Sequence, residues 1–306
     1  MANMTDVIMT ERDINKVSSK QKVSKILTQF GLYLFLGIIA LIVLFPFYWM
    51  IISSFKTISE YEAFTPTLFP KDISVQAYNA VWEADSLMGA FGNTVLVGIV
   101  STILSLIITV LSAFAFARLE FKGKGILFAA LLATMMIPGE LFTITNYQTV
   151  SEWGWGNTYK VLIIPFLVSV FYIYLLKQNF MQIPNELYLA AKIDGTTDLK
   201  YLWKVMIPLA LPTLISITIL KMMGSWNTYM WPNLVLTGKE GEKLWLITLA
   251  IRKEDFAGTN AETGSIIANV PAQMAAVTLV SIPLFMVFIF LRKYIMKGVS
   301  RSGIKG

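Results

Sequence analysis

Few residues in this chain have side chains suited to chemistry, and they gather in two places. One is Glu140, in "IPGE", together with "KMMGSWNTYMW" from Lys221 to Trp231. The other is the polar stretch "NELYLAAKIDGTTDLKY" from Asn185 to Tyr201. Ser225 and Asn227 offer a hydroxyl and an amide to sugar hydroxyls, and Trp226 and Tyr229 offer ring faces to sugar C–H groups. The same rings also suit an aromatic belt at the lipid headgroups, so a ligand-binding and an interfacial reading both stand. Glu140 is either a pore residue or an acid at the outer interface. Cys and His are both absent, which removes thiol chemistry, imidazole general-base chemistry and Cys/His metal sites. No Gly-x-x-x-x-Gly-Lys-Ser/Thr occurs, so the chain has no P-loop for ATP. The chain is expected not to be an enzyme itself and to hold no cofactor of its own.

The elements that position these residues follow from hydropathy. Of 306 residues 56% are hydrophobic and 14% charged, and the mean hydropathy is +0.63, values that place the chain in a lipid bilayer. Ile26–Phe55, Ser86–Ala117 and Thr263–Leu291 contain no Asp, Glu, Lys or Arg, and each exceeds the roughly 20 residues that a crossing needs. Gly125–Gly139 running on toward Tyr147, Val161–Leu176, and Val205–Leu220 running past Lys221 complete six predicted transmembrane helices, an all-α integral membrane fold. Seventeen of the 25 Lys and Arg fall in the two tails and in the connections between spans 2–3 and 4–5. Positive charge gathers on the cytoplasmic side, so both termini are expected there. The net charge of +6 then reflects topology, and no nucleic-acid partner is expected. Residues 1–25 read as a cytoplasmic N-terminal tail, 26–295 as the transmembrane domain and 296–306 as a cytoplasmic C-terminal tail. The segments Lys56–Asp85 and Pro232–Glu262 read as external connections.

The longer cytoplasmic connection, residues 184–205, has a pattern of its own. At 100° per residue, Leu187, Ala190, Ala191 and Asp194 share one small, nearly flat helix face. Gly195 suits the left-handed position that ends a helix, and Thr196 or Thr197 can cap a second one with Asp198 in its first turn. Helix, glycine turn and helix result. Such a hairpin can dock in a groove of another protein or lie on lipid headgroups.

"IPNELYLAAKIDGTTDLKYLWKVMIPLALP" resembles the EAA loop of binding-protein-dependent ABC importers, with Ala190, Ala191, Gly195, Ile207 and Pro212 near matching positions and Asp194 before the glycine. "NYQTVSEWGWGNTY", "WNTYMWP" and "RKYIMKGVSRSGIKG" are similar to the carbohydrate-uptake branch, and to its smaller maltose-transporter-type permease in particular. The resemblance covers most of Phe91 to Gly306. Leu189 stands where the motif has its name-giving Glu, and Glu186 lies about one turn earlier.

The resemblance implies a type I ABC importer permease of the cell membrane, with 184–205 as a coupling loop for ABC ATPase subunits that bind ATP and Mg. Glu186, Leu189, Ala190, Ala191, Asp194 and Gly195 would form that contact. It further implies a second, distinct permease chain and an extracytoplasmic solute-binding protein that delivers a sugar or oligosaccharide, with Glu140, Ser225, Trp226, Asn227 and Tyr229 as candidates for the substrate path. Alternatives are the same architecture serving a polyamine or a sugar-phosphate, an ion-coupled secondary carrier that uses Glu140, and, last, an intramembrane carboxylate hydrolase.

Overall fold

A computed structural model describes residues 11–254, 256–259 and 266–300. Three helices are long and apolar enough to cross a bilayer alone: Ile26–Ser53, Ser86–Arg118 and Val270–Phe290. Three further crossings are bent pairs, Lys124–Thr134 with Gly139–Glu152, Tyr159–Phe166 with Val170–Met181, and Asp198–Leu209 with Leu211–Trp226. The described residues thus supply six crossings when each pair counts as one. Proline sits at or beside every break: Pro138 at the first, bent by 84°, Pro165 at the second, bent by 44°, and Pro208 and Pro212 around the third, bent by 81°. Proline removes a backbone donor and crowds the preceding turn, so each helix is interrupted where its sequence cannot continue. In the third pair Leu211–Trp226 crosses, and Asp198–Leu209, which contains a turn of π-helix at Leu202–Met206, turns off its axis at Ala210.

The second crossing is the spine of the fold. It is the most buried of the three long helices and packs against both Val170–Met181 and Leu211–Trp226. A run of small polar residues, Thr94, Ser101, Thr102, Ser105 and Thr109, is buried along it. Small side chains let neighbouring helices approach closely where lipid supplies no hydrophobic drive for association. At Gly98 an added Cβ would already touch Ser225 Oγ at 3.9 Å. The Thr94 hydroxyl also satisfies backbone: its Oγ1 donates to the Ala90 carbonyl at 2.8 Å and accepts the Ile247 N–H at 2.8 Å. It thereby anchors the short helix Ile247–Lys253 against the bundle.

Three expectations change. The sixth helix starts at Val270 and not at Thr263; residues 263–265 lie outside the described set, and Ile266–Ala268 is a short strand paired antiparallel with Ala257–Thr259. Asn269 and Pro271 account for this start, since the Asn269 side chain accepts the Ala272 N–H at 3.0 Å and proline favours the first helical turn. The all-α bundle therefore carries one small β-hairpin outside the crossings. The expected tails are in part continuous with the bundle, because the first helix begins at Glu11 and the last reaches Ser300. Residues 1–10 and 301–306 lie outside the described set.

Candidate functional site

Two regions bring the singled-out residues together. The first is the hairpin between spans 4 and 5. Its first helix, Asn185–Ile193, ends in a Schellman motif: Thr196 N–H reaches the Ala191 carbonyl at 2.8 Å and Gly195 N–H the Lys192 carbonyl at 3.0 Å. Gly195 holds φ +68°, a left-handed conformation that a side chain strains. Thr197 caps the next helix, Asp198–Tyr201, by accepting the Lys200 N–H. The two helices are then fastened to each other. Asp198 Oδ1 accepts from Lys192 Nζ at 2.7 Å and from the Tyr188 hydroxyl at 2.8 Å. The Tyr188 ring packs 5.1 Å from that of Tyr201, which is buried.

Arg118, the last residue of the second crossing, ties this hairpin to the spine. Its Nη2 donates to the carbonyls of Phe180 at 3.0 Å and Ile183 at 2.6 Å, at the point where the chain leaves span 4. A guanidinium at a helix C-terminus meets both the open carbonyls and the negative end of the dipole. Arg118, Lys192 and Tyr188 are not among the residues singled out from sequence, which places Asp198 only in the first turn of the second helix. The partners lie 62 and 65 residues from Arg118, beyond the reach of local pattern, whereas Lys192 and Asp198 flank the glycine turn closely enough for their opposite charges to have suggested a clasp.

Hydrogen bonds from Lys192 and Tyr188 hold the Asp198 carboxyl below its ordinary value of 3.8, and the same contact with Asp198 raises Lys192. A depressed carboxylate contributes its stability above the unfolded-state pKa and loses it as the pH falls through the folded value. Hydrogen exchange at the Tyr201 amide, which bonds the Thr197 carbonyl at 2.9 Å, is therefore expected to accelerate below about pH 4, beyond its intrinsic pH dependence. Asp198→Asn removes that excess; an unchanged profile in the variant would refute the clasp.

The exposed face of the first hairpin helix differs from the one read off the sequence. Glu186, Leu187, Leu189, Ala190, Ile193, Asp194 and Gly195 are all exposed, but Ala191 turns inward and packs with Tyr188 on the core. The exposed face is thus rotated toward Glu186 and Ile193. Ile193 is 87% exposed, and Leu199 at 58% on the second helix and Trp203 at 65% just after it are exposed apolar residues too. Leu189, in the position of the motif Glu, is one of these exposed apolar residues.

The second region is a cavity of about 350 Å³ between the second, fourth and fifth crossings. Ser225 lines it, with Ser101, Ser169, Tyr172, Lys221 and Thr228 as its other polar walls. Phe166 and Trp231 form an apolar side, edge to face with centroids 5.5 Å apart. The remaining substrate-path candidates stand elsewhere. Trp226 is buried in a core cluster edge-on to Phe91 at 5.6 Å. Asn227 is exposed, and its side chain donates back to the Met223 carbonyl at 3.0 Å. The Tyr229 ring lies 4.7 Å from the Arg252 guanidinium. Glu140 is exposed at the 84° break of the third crossing and does not line the cavity. Ser101 and Ser169 escape a sequence reading, because a single serine in an apolar run carries no sign of which face it occupies.

Comparison with known proteins agrees with this architecture. Arabinooligosaccharides transport system permease protein AraQ of Halalkalibacterium halodurans is 30% identical over 290 residues, covering 94% of this chain and 100% of that protein. Polygalacturonan/rhamnogalacturonan transport system permease protein YtcP of Bacillus subtilis is 30% identical over 281 residues, covering 90% and 97%. Among solved structures, a chain of a bacterial ABC transporter involved in the import of the acidic polysaccharide alginate superposes with a TM-score of 0.78 at 26% identity, covering 89% of this chain and 97% of that one. Residues 108–301, from the end of the spine helix through the hairpin and cavity to the last crossing, match a single family profile. The chain therefore belongs to the binding-protein-dependent transport system inner membrane components, as a multi-pass permease subunit of an ABC importer and not an enzyme.

Proposed function

We propose that this permease forms, with a second and distinct permease chain, the translocation path for a sugar or oligosaccharide delivered by an extracytoplasmic binding protein. Support for the substrate class comes from the relatives, whose names specify arabinooligosaccharides and polygalacturonan/rhamnogalacturonan, and from a cavity that combines hydroxyls with an exposed phenyl face. Support for the energy source comes from the hairpin. ABC ATPase subunits, which carry the ATP and Mg, dock on residues 184–205 through Glu186, Leu189, Ala190, Ile193 and Asp194. Both termini lie with that hairpin in the cytoplasm, in line with the clustering of Lys and Arg.

The observation that carries the coupling role is a rigidly fastened element with an open apolar face. An Ile at 87% exposure and a Trp at 65% on a hairpin clasped by Asp198 and pinned by Arg118 suit a partner that grips from outside while the inside moves as one piece. Closure of the ATPases then turns the hairpin, and with it spans 4 and 5, as a lever. The test is uptake by proteoliposomes holding both permeases and the ATPases. Labelled arabinotriose should enter only with internal ATP and external binding protein, and uptake by this chain alone, without either, would overturn the reading.

A further inference from the structure

Lys221 lies about ten residues into the 16-residue helix Leu211–Trp226, within the fifth crossing. A cation within a membrane crossing is expensive and, where it persists, marks a pathway or a ligand. Its ammonium has three donors, and one of them goes to the Phe166 carbonyl at 2.6 Å, at the break of the fourth crossing. Among the described residues no carboxylate forms an ion pair with it. Of the residues that line the 350 Å³ cavity, Lys221 alone is charged. Ser101, Ser169, Ser225 and Thr228 surround it with hydroxyls, and the half-exposed Phe166 ring is at hand for a pyranose face.

From this we infer that the cavity binds an acidic sugar unit, with Lys221 as the partner of its carboxylate, and that Lys221 makes the permease prefer uronate-containing oligosaccharides to neutral ones. The inference rests on the sugar-permease reading above and deepens it. One positive charge with no second cation beside it balances a carboxylate and leaves a phosphate dianion half unpaired. Phe166 and the serines bind neutral parts of the same ligand. The carbonyl bond to Phe166 holds the ammonium in place without neutralising it, because a carbonyl accepts a proton donor but carries no net charge.

Trigalacturonate and galactotriose separate the possibilities, since their sugar units differ only in the oxidation of C6. Binding of each labelled trisaccharide is measured on the assembled transporter in nanodiscs without binding protein, for wild type, Lys221→Gln and Lys221→Arg. Glutamine keeps a donor for Phe166 and removes the charge. Wild type is expected to bind trigalacturonate about tenfold or more tighter than galactotriose; Lys221→Gln abolishes that preference by weakening trigalacturonate far more than galactotriose, and Lys221→Arg retains most of it. Thermal melting of the complex confirms that each variant is assembled. If Lys221→Gln weakens both sugars equally, or if galactotriose binds as well as trigalacturonate, Lys221 only fastens the helix break and the acidic preference is wrong while the sugar reading stands. If neither trisaccharide binds to wild type that still hydrolyses ATP, the acidic-sugar inference falls, and the arabinotriose uptake assay decides the sugar reading separately.

Discussion

Ile193→Asp and Ala190→Trp are expected to strip the ATPase subunits from the purified permease complex while leaving the transmembrane bundle folded. Ile193 is 87% exposed and Ala190 lies beside it on the outward face, so neither change disturbs a contact inside this chain. Burial of an isoleucine on docking contributes about 1.5–3 kcal/mol, and a carboxylate placed in the same contact adds a desolvation cost. Affinity for the ATPase should fall at least about a hundredfold for Ile193→Asp. Titrating labelled ATPase onto the permease pair in nanodiscs measures this directly. Ala191→Trp is the informative control, because Ala191 packs inward with Tyr188. It should lower the melting temperature by overpacking, at a cost of about 1–3 kcal/mol, as well as weaken docking. Wild-type affinity in Ile193→Asp would exclude this face as the dock.

Arg118→Met tests the other end of the same lever. Its guanidinium holds two carbonyls, those of Phe180 and Ile183, on residues that are themselves buried. Hydrogen bonds to a charged donor contribute about 1.5–3 kcal/mol each, and two on one group do not simply add, so the attachment weakens by about 3 kcal/mol. The exposed face of the first hairpin helix is itself untouched. ATPase subunits should therefore still bind and hydrolyse ATP, while solute moved per ATP in proteoliposomes falls about tenfold because the hairpin turns without carrying span 4 with it. Unchanged coupling in Arg118→Met would show that the push travels by another route. Loss of ATPase binding equal to that of Ile193→Asp would show that Arg118 shapes the dock and does not transmit from it.

These two results separate properties that are local in sequence from those that are not. The number of crossings, the proline breaks and the hairpin with its glycine turn are legible one-dimensionally, because hydrophobic length, ring closure at proline and positive φ at Gly195 each act within a few residues. The family motif is legible for the same reason: it is a contiguous stretch. Rotation of the first hairpin helix is not. Whether Ala191 or Ile193 faces out depends on where Tyr188 meets Asp198 and Tyr201, and on how Arg118 sets the preceding turn from another helix.

The candidate sugar residues divide along the same line. Ser225, Trp226, Asn227 and Tyr229 stand within five consecutive positions and share chemistry, yet the cavity takes Ser225, the core takes Trp226, and the helix end and the Arg252 contact take the others. Successive residues on a helix point about 100° apart, so neighbours in sequence look in different directions. What assembles around the cavity instead is Ser101, Phe166, Ser169, Lys221 and Trp231, drawn from three crossings and the segment that follows the fifth. The sequence by itself determined the family, the number of crossings and the existence of the hairpin. Only the tertiary structure decided which side chains converge, because helix bend and rotation are set by long-range packing against the second crossing, which no local spacing encodes.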